Sequence, residues 1–254
     1  MKKIIDWLRG RRGEFTPPRE AMFIGPGDFE KTGEEFLGYF VELGGLQPTG
    51  RVLDVGCGIG RMARPLTGYL DKKASYDGFD IVADGIDWCR KMITSRYPNF
   101  HFRFADVYNT FYNPQGKYKA SEYKFPYNKE SVDFVFLTSV FTHMLPQDME
   151  NYFSEIARVL KRDGKCLITF FLLNSESLQL LDAKLSTEDF KYEFDGYRTT
   201  DNDTPEAVIA YDEQSIRRLY EKSRLDVVGP VHYGSWCGRK SFFSYQDIII
   251  AIKK

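Results

Sequence analysis

The sequence predicts an α/β fold built on a mostly parallel sheet. Helix and strand signals alternate along the chain. One strand-like run, Arg51 to Val55, passes directly into a cluster of glycines. Another, Val132-Asp133-Phe134-Val135-Phe136-Leu137, has the apolar density of a strand covered on both faces, as a central parallel strand is.

The elements follow in order. Phe36, Phe40 and Leu43 recur at helical spacing, and Gly44-Gly45 stops that helix before the Arg51 to Val55 strand. Ser75 to Asp80 reads as a second strand, followed by a helix whose apolar face carries Ile86, Cys89 and Ile93. Phe100 to Phe104 is a third strand. An aromatic-rich stretch, Tyr108 to Tyr127, leads into the central strand. The next helix carries Met149, Phe153, Ile156 and Leu160 on one stripe, and Asp163-Gly164 turns it into a strand over Cys166 to Leu173. Asn174 to Ala210 is polar and interrupted and reads as an insertion. A helix near Asp212 to Lys222 follows, and strands near Leu225 to Val231 and Tyr245 to Ile252 are close enough to pair antiparallel.

The 254 residues allow one large domain or two small ones, and a single core over 1–254 is expected. Within it, 1–32 reads as an N-terminal extension, 33–173 as the core, 174–210 as the insertion and 211–254 as a C-terminal helix and strand pair.

A net charge of −1 provides no global field for nucleic acid or an anionic membrane, so a small-molecule partner is favoured. The four cysteines, Cys57, Cys89, Cys166 and Cys237, form no CxxC or Cys/His pair. They read as reduced thiols, with no metal site signalled. Met1 to Arg12 lacks the apolar run of a signal peptide, and no later stretch approaches membrane-spanning length, which makes the cytoplasm the expected location. Ile4, Ile5, Trp7 and Leu8 among Lys and Arg fit a docked or frayed terminus better than a membrane-surface contact.

The chemistry-bearing signal is Val52-Leu53-Asp54-Val55-Gly56-Cys57-Gly58-Ile59-Gly60-Arg61, a strand ending in a glycine turn that opens a helix. Such a turn sits at the carboxyl edge of a doubly wound sheet, where nucleotide-like ligands bind. A dinucleotide-binding turn wants GxGxxG around a pyrophosphate. Here the spacing is GxGxG, and a carboxylate two residues ahead would repel phosphate. Asp54 suits a phosphate-free ligand with a cationic amino-acid end, and S-adenosylmethionine is such a ligand. Asp80, ending the second strand, can take ribose hydroxyls, as it also would for NAD. Asp106, just after the third strand, can accept from the exocyclic amine of adenine.

These segments, together with Gly-Phe-Asp80, Ala-Asp106-Val, Val-Asp133-Phe-Val-Phe, Glu155-Ile-Ala-Arg-Val-Leu-Lys and Asp163-Gly-Lys, resemble the class I (Rossmann-like) S-adenosylmethionine-dependent methyltransferase family over roughly residues 33–173. The resemblance implies a doubly wound, seven-stranded, mostly parallel sheet with the last strand antiparallel. It also implies S-adenosylmethionine as cofactor and S-adenosylhomocysteine as product. The expected cofactor set is Asp54, Gly56, Cys57, Gly58, Gly60, Arg61, Asp80, Ile81, Asp106, Val107, Thr138 and Ser139. Taken singly, an Asp at a strand end is usually a turn or cap residue, and Arg61 is more often a solvated charge.

After the fourth strand, where the family places residues between sulfur and acceptor, stands His143, an expected catalytic base. Its plainer role is a histidine bonded to backbone that shapes the pocket. Two aromatic groups, Tyr108 to Tyr127 and Trp236 to Tyr245, either wall an acceptor pocket or pack irregular segments, and the insertion is either a substrate lid or a solvated loop. The function expected is in-line methyl transfer to an O, N or C atom of a small molecule, with a sugar or secondary metabolite as candidates. The alternatives are a cofactor-binding module without catalysis and, further off, an NAD-dependent oxidoreductase.

Overall fold

The computed structural model describes residues 13–25 and 27–254, so the Ile4 to Leu8 reading lies outside the described residues. The chain forms two compact units. The first runs to Ala105 and adds Val132–Val135, and the second holds Asp106–Ser131 and Phe136–Lys254.

In the first unit, α1 (Phe29–Glu42) starts at Asp28, whose side chain accepts from the amides of Glu30 and Lys31. Phe29, Phe36, Leu37 and Phe40 lie on one buried face. Phe40 is fully buried and packs on Phe134 with centroids 5.7 Å apart, burial that stabilises by roughly 1.5–3 kcal/mol. The helix stops at Gly44-Gly45. A Cβ on Gly44 would fall 2.5 Å from the Phe134 ring. Then come β1 (Arg51–Val55), α2 (Ala63–Tyr69), β2 (Ser75–Asp80), α3 (Ala83–Cys89) continued by a π turn to Thr94, β3 (Phe100–Phe104) and, through Val135, β4 (Val132–Leu137). Ile86, Cys89 and Ile93 are fully buried, as their spacing predicts. β1 pairs parallel with β2, and β2 with β3.

In the second unit, α4 (Pro146–Val159) has proline in its first turn and buries Met149, Phe153 and Ile156. β5 (Leu160–Phe170) follows without a break, with Asp163 at φ 62. The expected strand to Leu173 is divided, because Leu172–Leu173 forms β6 in another sheet. The expected insertion contains α5 (Ser175–Asp182), a hairpin of β7 (Tyr192–Phe194) and β8 (Tyr197–Thr199), and the start of β9 (Ile209–Asp212). α6 (Glu213–Lys222), capped by Asp212, and the antiparallel pair β10 (Leu225–Val227) and β11 (Asp247–Lys253) complete the chain. The large sheet has seven strands in the order β10-β11-β5-β4-β1-β2-β3, mostly parallel with antiparallel β11. The second sheet is β6-β9-β8-β7. Phe171, Leu173, Phe190, Ala210, Trp236 and Cys237 form a buried cluster in this unit. All four cysteines are free and buried. No helix among the described residues is long and apolar enough to cross a membrane.

Candidate functional site

In the first unit, β1 ends in a turn whose three glycines all have left-handed backbones: φ is 78 at Gly56, 55 at Gly58 and 85 at Gly60. The turn is tied to β2. Gly56 N–H and Cys57 N–H both donate to the Phe79 carbonyl, at 2.9 and 3.1 Å, and Gly58 N–H donates to Asp80 Oδ2 at 2.7 Å. Asp80 Oδ1 accepts from Val82 N–H at 2.9 Å, so this carboxylate clamps the turn to the segment that opens α3. Burial raises its pKa, and the Val82 and Gly58 amides oppose that rise.

Asp54 is fully buried. Its Oδ2 accepts from the Tyr76 hydroxyl at 2.5 Å, whereas Oδ1 is buried without a hydrogen-bond partner among the described residues. Burial pushes this carboxyl well above the usual range. The Tyr76 bond pulls it down, and the Asp80 charge adds to the rise. An orphaned carboxylate oxygen is costly in a native structure and marks a place that a donor should fill.

Cys57 is buried, and burial raises its thiol, which removes it as a nucleophile. The Arg61 guanidinium donates to the Gly25 carbonyl at 2.8 Å, so it fastens the segment preceding α1. Ile81 is half-buried between Asp80 and Val82. The structure thus brings Asp54, the three glycines, Cys57 and Asp80 together around one turn. Tyr76 is the residue sequence reasoning missed there.

In the second unit, Asp106 follows β3 by two residues. Its carbonyl accepts from the amides of Lys117 and Tyr118, and Lys117 Nζ lies 3.4 Å from its Oδ2. Val107 is buried and bridges to Tyr118. Thr138 is half-buried after β4, and Ser139 is exposed with φ 60, a conformation rarely taken by residues other than glycine. A small net holds Ser139: its N–H donates to Thr169 Oγ1 at 2.8 Å, and Gln246 Nε2 donates to its Oγ at 3.0 Å.

His143 closes the short turn Phe141–His143 and is half-buried, with Nδ1 3.1 Å from the Glu206 carbonyl. A carbonyl can only accept, so Nδ1 carries the hydrogen and Nε2 the lone pair. Burial lowers the pKa of this imidazole and keeps it neutral near pH 7, against the Glu206 and Ala207 carbonyls and the Glu188 charge.

The aromatic groups divide. Phe125 and Trp236 are buried packing residues: Phe125 stacks edge-on against Tyr152 with centroids 5.0 Å apart, and Trp236 Nε1 donates to Asp247 at 2.7 Å. Tyr108, Phe111, Tyr118, Phe242, Phe243 and Tyr245 are exposed. Among the described residues, no group of His, Cys, Asp and Glu is placed to hold a metal ion.

A family model described as a methyltransferase domain matches residues 53–168. Among solved structures, the PH0226 protein of Pyrococcus horikoshii OT3 is 18% identical, with 92% of this chain and 95% of that chain covered and a TM-score of 0.63. Magnesium protoporphyrin IX methyltransferase from Synechocystis PCC 6803, solved with bound S-adenosylhomocysteine, is 16% identical over 100% of both chains, with a TM-score of 0.57. A SAM-dependent methyltransferase from Methanosarcina mazei is 21% identical, with 84% and 96% covered and a TM-score of 0.54.

Proposed function

We propose that this chain, which a methyltransferase-domain family model matches over residues 53–168, is a class I (Rossmann-like) S-adenosylmethionine-dependent methyltransferase that methylates a small-molecule hydroxyl or amine with His143 as the base. The observation that carries the cofactor half is the buried, half-satisfied Asp54 carboxylate beside a turn whose three left-handed positions are all glycine. Bound S-adenosylmethionine supplies a methyl group on a cationic sulfur, together with an ammonium that an orphaned carboxylate oxygen can receive.

The residues of this chain do the rest. Asp54 takes the ammonium, the turn from Gly56 to Gly60 lets backbone approach the ligand, and Asp80 keeps lone pairs for ribose hydroxyls while holding the turn. For Arg61, Ile81, Asp106, Val107, Thr138 and Ser139 the assignment rests on their places in the chain, beside the turn or just after β2, β3 and β4. Arg61 acts through Gly25. His143 Nε2 accepts the proton that the acceptor atom loses as its new bond to carbon forms. Its lowered pKa leaves the lone pair available at neutral pH. The exposed rings of Tyr108, Phe111 and Tyr118 favour an acceptor with an apolar or aromatic body such as a secondary metabolite, although a sugar also stacks on such rings.

S-adenosylhomocysteine release from a panel of small hydroxyl and amine compounds tests the reading. Turnover should appear with one class of acceptor and fall about 10²–10⁴-fold in His143→Gln at saturating substrate. Turnover that survives His143→Gln removes the base.

A further inference from the structure

Two chain segments meet at one carboxylate in the second unit, and the His143 segment joins both. Glu206, in the short turn Pro205–Ala207, is buried, and both its oxygens are engaged, Oε1 by Asn109 Nδ2 at 3.1 Å and Oε2 by Thr110 N–H at 3.2 Å. The buried Asn109 donates through the same Nδ2 to the His143 carbonyl at 3.1 Å. Its Oδ1 accepts from the amides of Phe111 at 3.0 Å and Tyr112 at 2.8 Å. Tyr112 then meets the His143 ring edge-on, with centroids 5.3 Å apart. The loop after β3, the turn after β4 and the end of the insertion are fastened to one another around the imidazole.

We infer that Glu206 is a positioning residue for His143: its carboxylate, pinned by Asn109 and Thr110, holds its own carbonyl where it fixes the imidazole as the Nδ1–H tautomer. The purpose of this clasp rests on the proposed base role, but its existence does not. An unrestrained imidazole samples both tautomers and turns about its broad terminal torsion. Here the main chain of Glu206 selects one tautomer, and the side chain of the same residue keeps that main chain in place. The charged groups facing the ring are Glu188 and Glu206, and Asp148 in turn faces Glu206.

Glu206→Gln keeps the size of the side chain but sets an NH2 group against Asn109 Nδ2 or Thr110 N–H, donor against donor. Asn109→Ala releases the clasp from the other side and leaves Glu206 intact.

Long-range 1H–15N correlation spectra of the full chain labelled with 15N-histidine read the tautomer directly. The sequence has only three histidines, His101, His143 and His232, so His143→Gln assigns the signal by deletion. In the unliganded wild type, above the titration of His143, the ring should be almost wholly Nδ1–H. In Glu206→Gln and in Asn109→Ala it should become a tautomer mixture while the far-UV circular dichroism stays unchanged. Should Glu206→Gln fail to fold, Asn109→Ala decides. An Nε2–H ring in the wild type, or folded variants that keep the wild-type tautomer, overturns the inference. Turnover in His143→Gln is a separate readout: a fixed tautomer with unaffected turnover sinks the base and leaves the clasp standing.

Discussion

Asp54 is a fully buried carboxylate, with Oδ2 bonded to Tyr76 and Oδ1 without a hydrogen-bond partner among the described residues. Its neighbours are Tyr76, Asp80, Cys57 and Cys89, none of them a cation, and burial holds its pKa well above the ordinary value. On the proposed role, a proton and the ligand ammonium compete for it. The raised pKa favours the protonated form in the free protein, whereas pairing with ammonium needs the ionised form. Affinity for S-adenosylmethionine should accordingly rise with pH through that pKa and level off above it. Tyr76→Phe removes the bond that lowers the pKa, so the midpoint should move to higher pH. Affinity at neutral pH should fall on the order of tenfold or more, since a hydrogen bond to a charged group contributes about 1.5–3 kcal/mol. Calorimetric titrations across pH check this, and an unmoved midpoint in Tyr76→Phe would contradict it. Asp54 and the glycines were legible as one local motif, and Asp80 as the acidic residue that ends the next strand. Tyr76 was not, because its hydroxyl reaches Asp54 only through the pairing that sets Asp54 opposite Gly78. Glu206 was illegible for the same kind of reason, as an acidic residue in a polar stretch whose partners are 96 and 97 positions away.

Among the elements, the glycine turn is the least tolerant of change. A Cβ on Gly60 would lie 3.0 Å from both Cys89 Sγ and Ile93 Cδ1, and the backbone there is left-handed. Gly60→Ala should cost roughly 1–3 kcal/mol through strain and overpacking, read as a lower denaturation midpoint. An unchanged midpoint would show that the turn is slack. β1, β2, β3 and β4 have the boundaries read from sequence; Val132–Leu137 is a dense, buried apolar run, whereas Phe100–Phe104 alternates Phe with polar residues as an edge strand does. The second sheet escaped notice because its strands have only two to four residues, and Tyr192–Phe194 is exposed throughout, so no alternation marks it. This sheet abuts a buried polar centre. Asp247 accepts from Trp236 Nε1, Leu172 N–H and Gly234 N–H, each at 2.7 Å, and pairs with Arg239. Burial nevertheless raises its pKa to about 6. A raised folded-state pKa contributes stability that is full below the unfolded value near ~3.9 and is lost as pH rises through about 6. Urea unfolding between those pH values should show a downward slope in the wild type that Asp247→Asn lacks, and identical slopes would contradict it.

For the whole molecule, the match of a methyltransferase-domain family model to residues 53–168 and a net charge of −1 support the small ligand proposed above. A ligand that binds only the folded state stabilises it by mass action, about 2.7 kcal/mol at a hundredfold excess over Kd. For a chain of this size that corresponds to a rise in Tm of roughly 5–10 °C. S-adenosylmethionine and S-adenosylhomocysteine should both produce it, whereas NADH, whose pyrophosphate brings no cation to Asp54, should not.

The most direct measurement is calorimetric titration of S-adenosylmethionine into the full chain and into Asp54→Asn at neutral pH. The wild type should bind at a single site, and Asp54→Asn should bind on the order of tenfold or more weakly. No detectable heat from the wild type at millimolar ligand, or equal affinity in the two proteins, would contradict the role assigned to the buried carboxylate.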